Sequence, residues 1–194
     1  MSTVEYRCHH CVNAAGAWGG KISASIGEPV PLRQVALQMA VTESLPNFVS
    51  TVVGCQGRKL SLKQTAAGAV VIGGGFEGQV KKDSQHGLSG TLNHTLSAAN
   101  LANAAALFPH LQQARVVRQW TGIEGMIADT LPVLGHSQRL PGLIHAFGFS
   151  GHGFALVPLV GPLVADIAQG RNINLPIDTF AVDRFGQHGS NKAA

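Results

Sequence analysis

The sequence predicts a mixed fold of α+β or α/β type, with a mixed β-sheet packed beside a layered strand–helix unit. Three observations carry this expectation. Residues 142–156 read as a short apolar strand, a glycine-rich turn and the start of an apolar helix. Residues 59–63 alternate polar and apolar side chains and residues 69–72 are continuously apolar, with Gly68 between them, the pattern of a hairpin. Residues 91–107 contain neither glycine nor proline and are rich in alanine and leucine, so they read as a helix inserted between strands.

From the N-terminus, residues 1–11 are polar and weakly patterned, and residues 8–11 read as a strand leading into Val12. Residues 12–18 are mostly small, which permits close backbone approach, and Gly16 permits a turn. Residues 31–41 are strand-like, and Pro46 ends that region. The helix at 91–107 places Leu92, Leu96, Ala99, Asn103 and Ala106 on one face and ends near Pro109. Residues 115–120, 133–134 and 143–147 read as strands. Between the first two, Trp120 and Gly122 offer a flat wall and a close backbone approach to a planar ligand, and Asp129 caps a turn before Leu131 and Pro132. Residues 155–169 form an apolar helix stopped by Gly170, its first part tilted by Pro158 and Pro162. Residues 187–194 read as a polar tail.

Composition narrows the function. With 194 residues and 45% hydrophobic content the chain can bury a core. Charged residues are only 12%, so faces covered by a cofactor, a partner or further chain are expected. The net charge of +4 suits a small carboxylate substrate, but the basic residues are scattered and not interleaved with aromatics, which argues against nucleic acid. Three cysteines give no disulfide framework and fit a reducing compartment. No signal peptide and no apolar run of membrane-spanning length is read; the best candidate, residues 154–168, is interrupted by Pro158, Pro162 and Asp166. The expectation is a cytoplasmic protein, with peripheral attachment to the inner membrane left open.

Two motifs are read as decoys. Residues 73–78 match G-x-G-x-x-G, yet Lys81, Lys82 and Asp83 follow where an apolar helix should begin. Cys8, His9, His10 and Cys11 lack the second ligand pair of a zinc site, so no metal is expected. His152 lies between Gly151 and Gly153, which makes its backbone more useful than its imidazole. Neither a nucleophile elbow nor a Walker loop occurs.

Four segments in this order resemble the FAD-dependent oxidoreductases of the D-amino-acid oxidase superfamily: residues 12–18, 63–75, 118–135 and 142–154. They are similar to the family's V-N-A-A-G-x-W, its substrate-domain strands with a glycine cluster, its W-x-G…D-x-x-P-x-x-G and its flavin-contacting G-H-G-F turn. D-amino acid dehydrogenase-like proteins, glycine oxidase and flavin subunits of heteromeric amine-oxidising enzymes are the nearest kinds. The resemblance implies bound FAD and oxidation of an amino acid or related amine by hydride transfer to flavin, by a fragment or subunit of such an enzyme. The alternative it leaves is a non-catalytic remnant, or a subunit that needs a second polypeptide to hold FAD. It implies part of an FAD-binding domain at residues 1–28, a substrate-binding mixed sheet at 29–118 and a return to the FAD-binding domain at 119–186. Ala15, Gly16, Trp18, Gly122, Gly148, Ser150, Gly151, His152, Gly153 and Phe154 would contact the cofactor. Trp120, Arg58 and His152 would contact substrate. The family's N-terminal nucleotide fingerprint is not read in this chain. Glycine-oxidase-like members hold the substrate carboxylate with arginines, where this sequence has Glu124 and His152. Arg58, Lys63 and Arg118 remain as carboxylate partners, and no catalytic side chain is assigned.

Overall fold

The computed structural model describes residues 4–83 and 87–188. The predicted tail beyond residue 188 lies outside them, whereas residues 187–188 close a 3-10 segment, Val182–His188. In chain order the elements are β1 (Cys11–Asn13), α1 (Gly19–Ser25), β2 (Leu32–Ser44), β3 (Val53–Gly54), β4 (Ser61–Gln64), β5 (Ala69–Gly73), β6 (Gln79–Asp83), β7 (Gly87–Thr91), α2 (His94–Leu107), β8 (Val116–Ile127), β9 (Val133–His136), β10 (Leu143–Phe147) and α3 (Gly153–Ala168). The chain divides into two compact units, one of residues 1–34 with 124–194, the other of residues 35–123.

In the unit of residues 35–123, the predicted hairpin is β4–β5, paired antiparallel from Ser61↔Gly73 to Gln64↔Val70. It belongs to a five-stranded sheet of order β3-β4-β5-β2-β8. Gly68 takes φ +88, and a Cβ there would stand 2.6 Å from the Leu45 carbonyl oxygen, so only glycine fits this turn. The alternation holds in space: Leu60 and Leu62 are buried, Ser61 and Lys63 exposed. With Val70, Ile72, Ala104 and Leu111 the two leucines form this unit's core. Leu62→Ala is expected to cost about 2–5 kcal/mol, read as a lower urea midpoint at unchanged m-value.

Helix α2 starts three residues later than predicted, because Thr91 closes β7 and Asn93 caps the helix, its Oδ1 accepting the Leu96 N–H at 3.1 Å. Its buried face is Ser97, Asn100 and Ala104, not the predicted Leu92, Leu96, Ala99, Asn103 and Ala106 row. Apolar and small polar residues are spread around the helix, so periodicity does not choose a face; small side chains face the core beside β5. The β6–β7 hairpin, with Lys81 opposite Ser89, was not expected from so polar a stretch. Where the G-x-G-x-x-G match falls, Gly74 and Gly75 have positive φ and the chain continues into β6, not a helix.

In the other unit, β1 runs parallel to β10, which pairs antiparallel with β9, in the order β1-β10-β9. Of residues 8–11 only Cys11 is in a strand, and all of them are exposed. Among the described residues no group of three His, Cys, Asp or Glu is placed to hold a metal. Helix α1 was not read from the sequence because Gly19 and Gly20 disfavour helix. Gly19 is required there, since a Cβ would overlap the Phe147 ring. Leu134, Ile144, Ala146, Leu163 and Ile167 pack α3 on the sheet, and Ile127, Val133, Phe147 and Val182 form a second cluster. β8 is continuous for 12 residues and runs seven residues past the predicted end at Trp120, to the turn at which the Leu131 N–H donates to Asp129. Its two glycines do not break it because neighbouring strand positions keep the ladder extended.

Candidate functional site

The apolar run of β10 is buried at all five positions, as its lack of alternation implies. It ends at Gly148, whose φ is +73. Ser150 and Gly151 follow at φ +51 and +86, so the chain reverses sharply before α3. Ser150 is a non-glycine residue in a strained region, and its hydroxyl explains why it stays there. Its Oγ accepts the Ile127 N–H at 3.0 Å and donates to the Gly148 carbonyl at 3.3 Å. The Gly151 N–H donates to Glu124 Oε1 at 3.1 Å, and the His152 N–H to the Phe149 carbonyl at 3.0 Å. Ser150→Ala is expected to cost about 1–3 kcal/mol and to speed hydrogen exchange at Ile127.

Helix α3 then begins without a side-chain cap. The Leu156 N–H reaches the His152 carbonyl at 3.3 Å, so the N–H groups of Gly153, Phe154 and Ala155 precede the first intrahelical bond. They carry the positive end of the helix dipole, which favours an electron-rich or anionic group. Phe154, 97% exposed, lies beside them.

A second segment, residues 15–18, is held near the same strand. Gly16 takes φ +53, the Trp18 N–H closes a turn on the Ala15 carbonyl at 2.9 Å, and Gln34 Nε2 donates to the Ala17 carbonyl at 2.8 Å. A Cβ on Gly125 would stand 3.0 Å from Ala17 Cα, and a Cβ on Gly148 would overlap Ile127. Residues 124–127 of β8 therefore hold both segments by close packing and hydrogen bonds.

Beneath them lies a polar network that the sequence reading did not single out. Asn13, Glu28 and His145 are buried, at 3%, 7% and 0% exposure. His145 Nε2 lies 3.0 Å from Glu28 Oε2, and Asn13 Nδ2 lies 3.3 Å from His145 Nδ1. Glu28 also accepts from the Ser137 hydroxyl at 2.8 Å and from the N–H groups of Gln138 and Arg139. Burial raises the Glu28 pKa, but hydrogen bonds from His145, Ser137 and the Gln138 N–H outweigh it and hold the carboxyl below the usual range. The available signal was one histidine inside an otherwise apolar buried run.

The predicted contact residues divide between the units. Ala15, Gly16, Trp18, Gly148, Ser150, Gly151, His152, Gly153 and Phe154 lie in the unit that holds both segments. Trp120, Gly122, Arg58, Lys63 and Arg118 lie in the other. There Arg118 stacks over Trp120 at 5.4 Å, Arg58 is exposed, and Gly122 is an exposed mid-strand residue. The Gly151 N–H donates to Glu124, which removes it from the free donors, and no atom lies within 4 Å of the Gly122 Cβ position, so that backbone faces open space.

A flavin ring suits this surface. No atom lies within 4 Å of the Cβ positions of Gly16 and Gly151, both at positive φ, so both backbones face open space. The α3 N–H groups supply donors and Trp18, 41% exposed, supplies an aromatic edge.

The comparisons with known proteins agree with this architecture. The family model for FAD-dependent oxidoreductases of the DAO type matches residues 2–167. The hydrogen cyanide synthase subunit HcnC of Pseudomonas aeruginosa is 28% identical over 180 residues, covering 92% of this chain and 41% of that protein. Glycine oxidase of Geobacillus kaustophilus is 29% identical over 177 residues, covering 89% of this chain and 44% of the enzyme. Among solved structures, L-proline dehydrogenase from P. horikoshii superposes with a TM-score of 0.78 at 26% identity, over 90% of this chain and 46% of that one. The chain thus spans less than half the length of these relatives. No helix among the described residues is long and apolar enough to cross a membrane. The match over residues 2–167 places this chain in the family of FAD-dependent oxidoreductases.

Proposed function

We propose that this chain forms the flavin-ring end of an enzyme that oxidises an amino acid or related amine. The observation that carries the reading is the strand–turn–helix of residues 143–168, with positive φ at Gly148, Ser150 and Gly151 and an uncapped α3. Bound FAD would supply the redox chemistry, accepting a hydride, two electrons with one proton, from the substrate C–H bond. The residues of this chain supply position and charge. The N–H groups of Gly153, Phe154 and Ala155 favour negative charge on a reduced ring. Ala15, Gly16 and Trp18 border the same group, and His152 contributes through its backbone. Glu124 fixes the turn by holding the Gly151 N–H.

For substrate, Arg118 is the most developed handle in its unit, because stacking on Trp120 at 5.4 Å limits its orientations. A guanidinium so held would take an α-carboxylate, and Arg58 and Lys63 are further exposed cations. No side chain is assigned as a base. Replacing Gly151 with valine puts a β-branched residue at φ +86 and fills the open side of the turn. The purified variant is expected to lose FAD uptake, measured as flavin absorbance after desalting, while Gly153→Val is expected to weaken it. FAD uptake equal to the parent chain's in both would overturn the reading.

A second reading is a subunit that completes its site with another polypeptide. Two observations favour it. β1 is an edge strand, with Val12 41% exposed, and the first half of α3 exposes Phe154, Val157 and Leu159. HcnC and the sarcosine oxidase β subunit of Rhizobium meliloti are named as subunits. FAD uptake only after addition of a second polypeptide would select this reading.

A further inference from the structure

We infer that His145 is a positioning residue for residues 15–19, acting through the orientation of the Asn13 carboxamide. The inference rests on the reading of that segment as a cofactor border only for its functional meaning; the geometry stands by itself. Asn13 Nδ2 has two hydrogens and two acceptors in reach, the Gly19 carbonyl at 3.0 Å and His145 Nδ1 at 3.3 Å. Asn13 Oδ1 accepts the Ala15 N–H at 3.4 Å. One side chain therefore ties the end of β1 to both ends of the turn that carries Gly16. Flipping the carboxamide would face Oδ1 to the Gly19 carbonyl and the amino group to the Ala15 N–H, losing both bonds.

His145 reinforces the orientation that the Gly19 carbonyl and the Ala15 N–H select: an Nδ1 that accepts from Nδ2–H is bare, so the imidazole proton sits on Nε2. There it meets Glu28 Oε2 at 3.0 Å, a carboxylate with nothing to donate. Glu28 is itself fixed by Ser137 and by the N–H groups of Gln138 and Arg139. The ring is held by the Phe147 side chain, edge to face at 5.5 Å. Orientation thus passes from the loop at residues 137–139 through Glu28 and His145 to Asn13, and from there to Ala15 and Gly19. The arrangement is a fully satisfied buried network, and such networks select one conformation.

The test needs no flavin, so its failure is separate from failure of the cofactor reading. In the full chain labelled with 15N and 13C, the side-chain correlation of His145, assigned in the parent chain through its backbone connectivity, is expected to show the Nε2–H tautomer. An Nδ1–H tautomer would overturn the inference. Two variants separate positioning from mere support. His145→Asn keeps an acceptor near the Nδ1 position; His145→Gln keeps the donor to Glu28 but leaves Asn13 without its acceptor. The backbone amide signals of Ala15, Gly16 and Gly19 are expected to shift in His145→Gln and to remain near the parent positions in His145→Asn. The reverse order, or equal shifts in both, would assign His145 a supporting role only. If neither variant folds, the tautomer in the parent chain still decides.

Discussion

Gly148→Val is expected to be the most damaging single substitution in this chain. Gly148 lies at φ +73 with its α-carbon against the Ile127 side chain, and Ile127 is itself 2% exposed. A valine there meets two costs at once. A β-branched residue in the left-handed region costs about 1–3 kcal/mol, and overpacking a buried contact costs about 1–3 kcal/mol more. The sum, roughly 2–6 kcal/mol, is comparable with the whole stability of a domain. Thermal unfolding followed by circular dichroism should show a melting temperature lowered by ten degrees or so for a loss of about 3 kcal/mol, or no folded baseline. Gly151→Val is the informative contrast. Its φ is also positive, at +86, but open space surrounds its Cβ position, so the variant should lose less stability and more flavin affinity.

The second large effect belongs to Glu28. Glu28→Ala leaves His145 Nε2–H, the Ser137 hydroxyl and two backbone N–H groups without their acceptor. The expected loss is about 3–5 kcal/mol, measured by urea unfolding. The pH dependence follows from the same bonds. The folded-state pKa of Glu28 lies below its unfolded value, since hydrogen bonds from His145, Ser137 and Gln138 outweigh the effect of burial. Its contribution is therefore fully present above the usual carboxylate range and is lost as pH falls through the folded-state pKa. The parent chain should lose stability progressively below about pH 4, and Glu28→Gln should flatten that slope. An unchanged slope would remove Glu28 from the account.

The sequence reveals some features of this fold and hides others for physical reasons. The β4–β5 hairpin is legible because one face of the strand is dry and the other wet, which writes itself as Leu60 and Leu62 between polar neighbours. The run into α3 is legible for a different reason: five buried residues in succession followed by glycines leave few alternatives to strand, turn and helix. Helix α1 is illegible because its two opening glycines serve packing, Gly19 against Phe147 and Gly20 against Leu32, and local propensity points the other way. Strand β8 hides Gly125 in the same manner: it is small because Ala17 approaches it, a contact between residues distant in sequence. The buried face of α2 could not be read, because alanines lie on several sides and the face the sheet receives includes the polar Ser97 and Asn100.

The candidate site shows the same division. Gly148, Gly151 and Gly153 announce a turn through their type alone, and the helix that follows supplies donors whatever its partners are. Asn13, Glu28 and His145 do not announce themselves. They lie 15 and 117 residues apart along the chain and become a network only when β1 lies beside β10. Glu124 is similar: in the sequence it only marks a place where the resembled enzymes have an arginine, and in the fold its carboxylate accepts the Gly151 N–H.

The most direct test of the central claim is an equilibrium titration of the purified chain with FAD, followed by flavin absorbance and by quenching of its two tryptophans. The account predicts saturable uptake that Gly151→Val removes while circular dichroism remains that of the parent chain. A folded parent chain that takes up no flavin, alone or with a second polypeptide, would contradict it, as would a Gly151→Val variant that binds FAD as well as the parent.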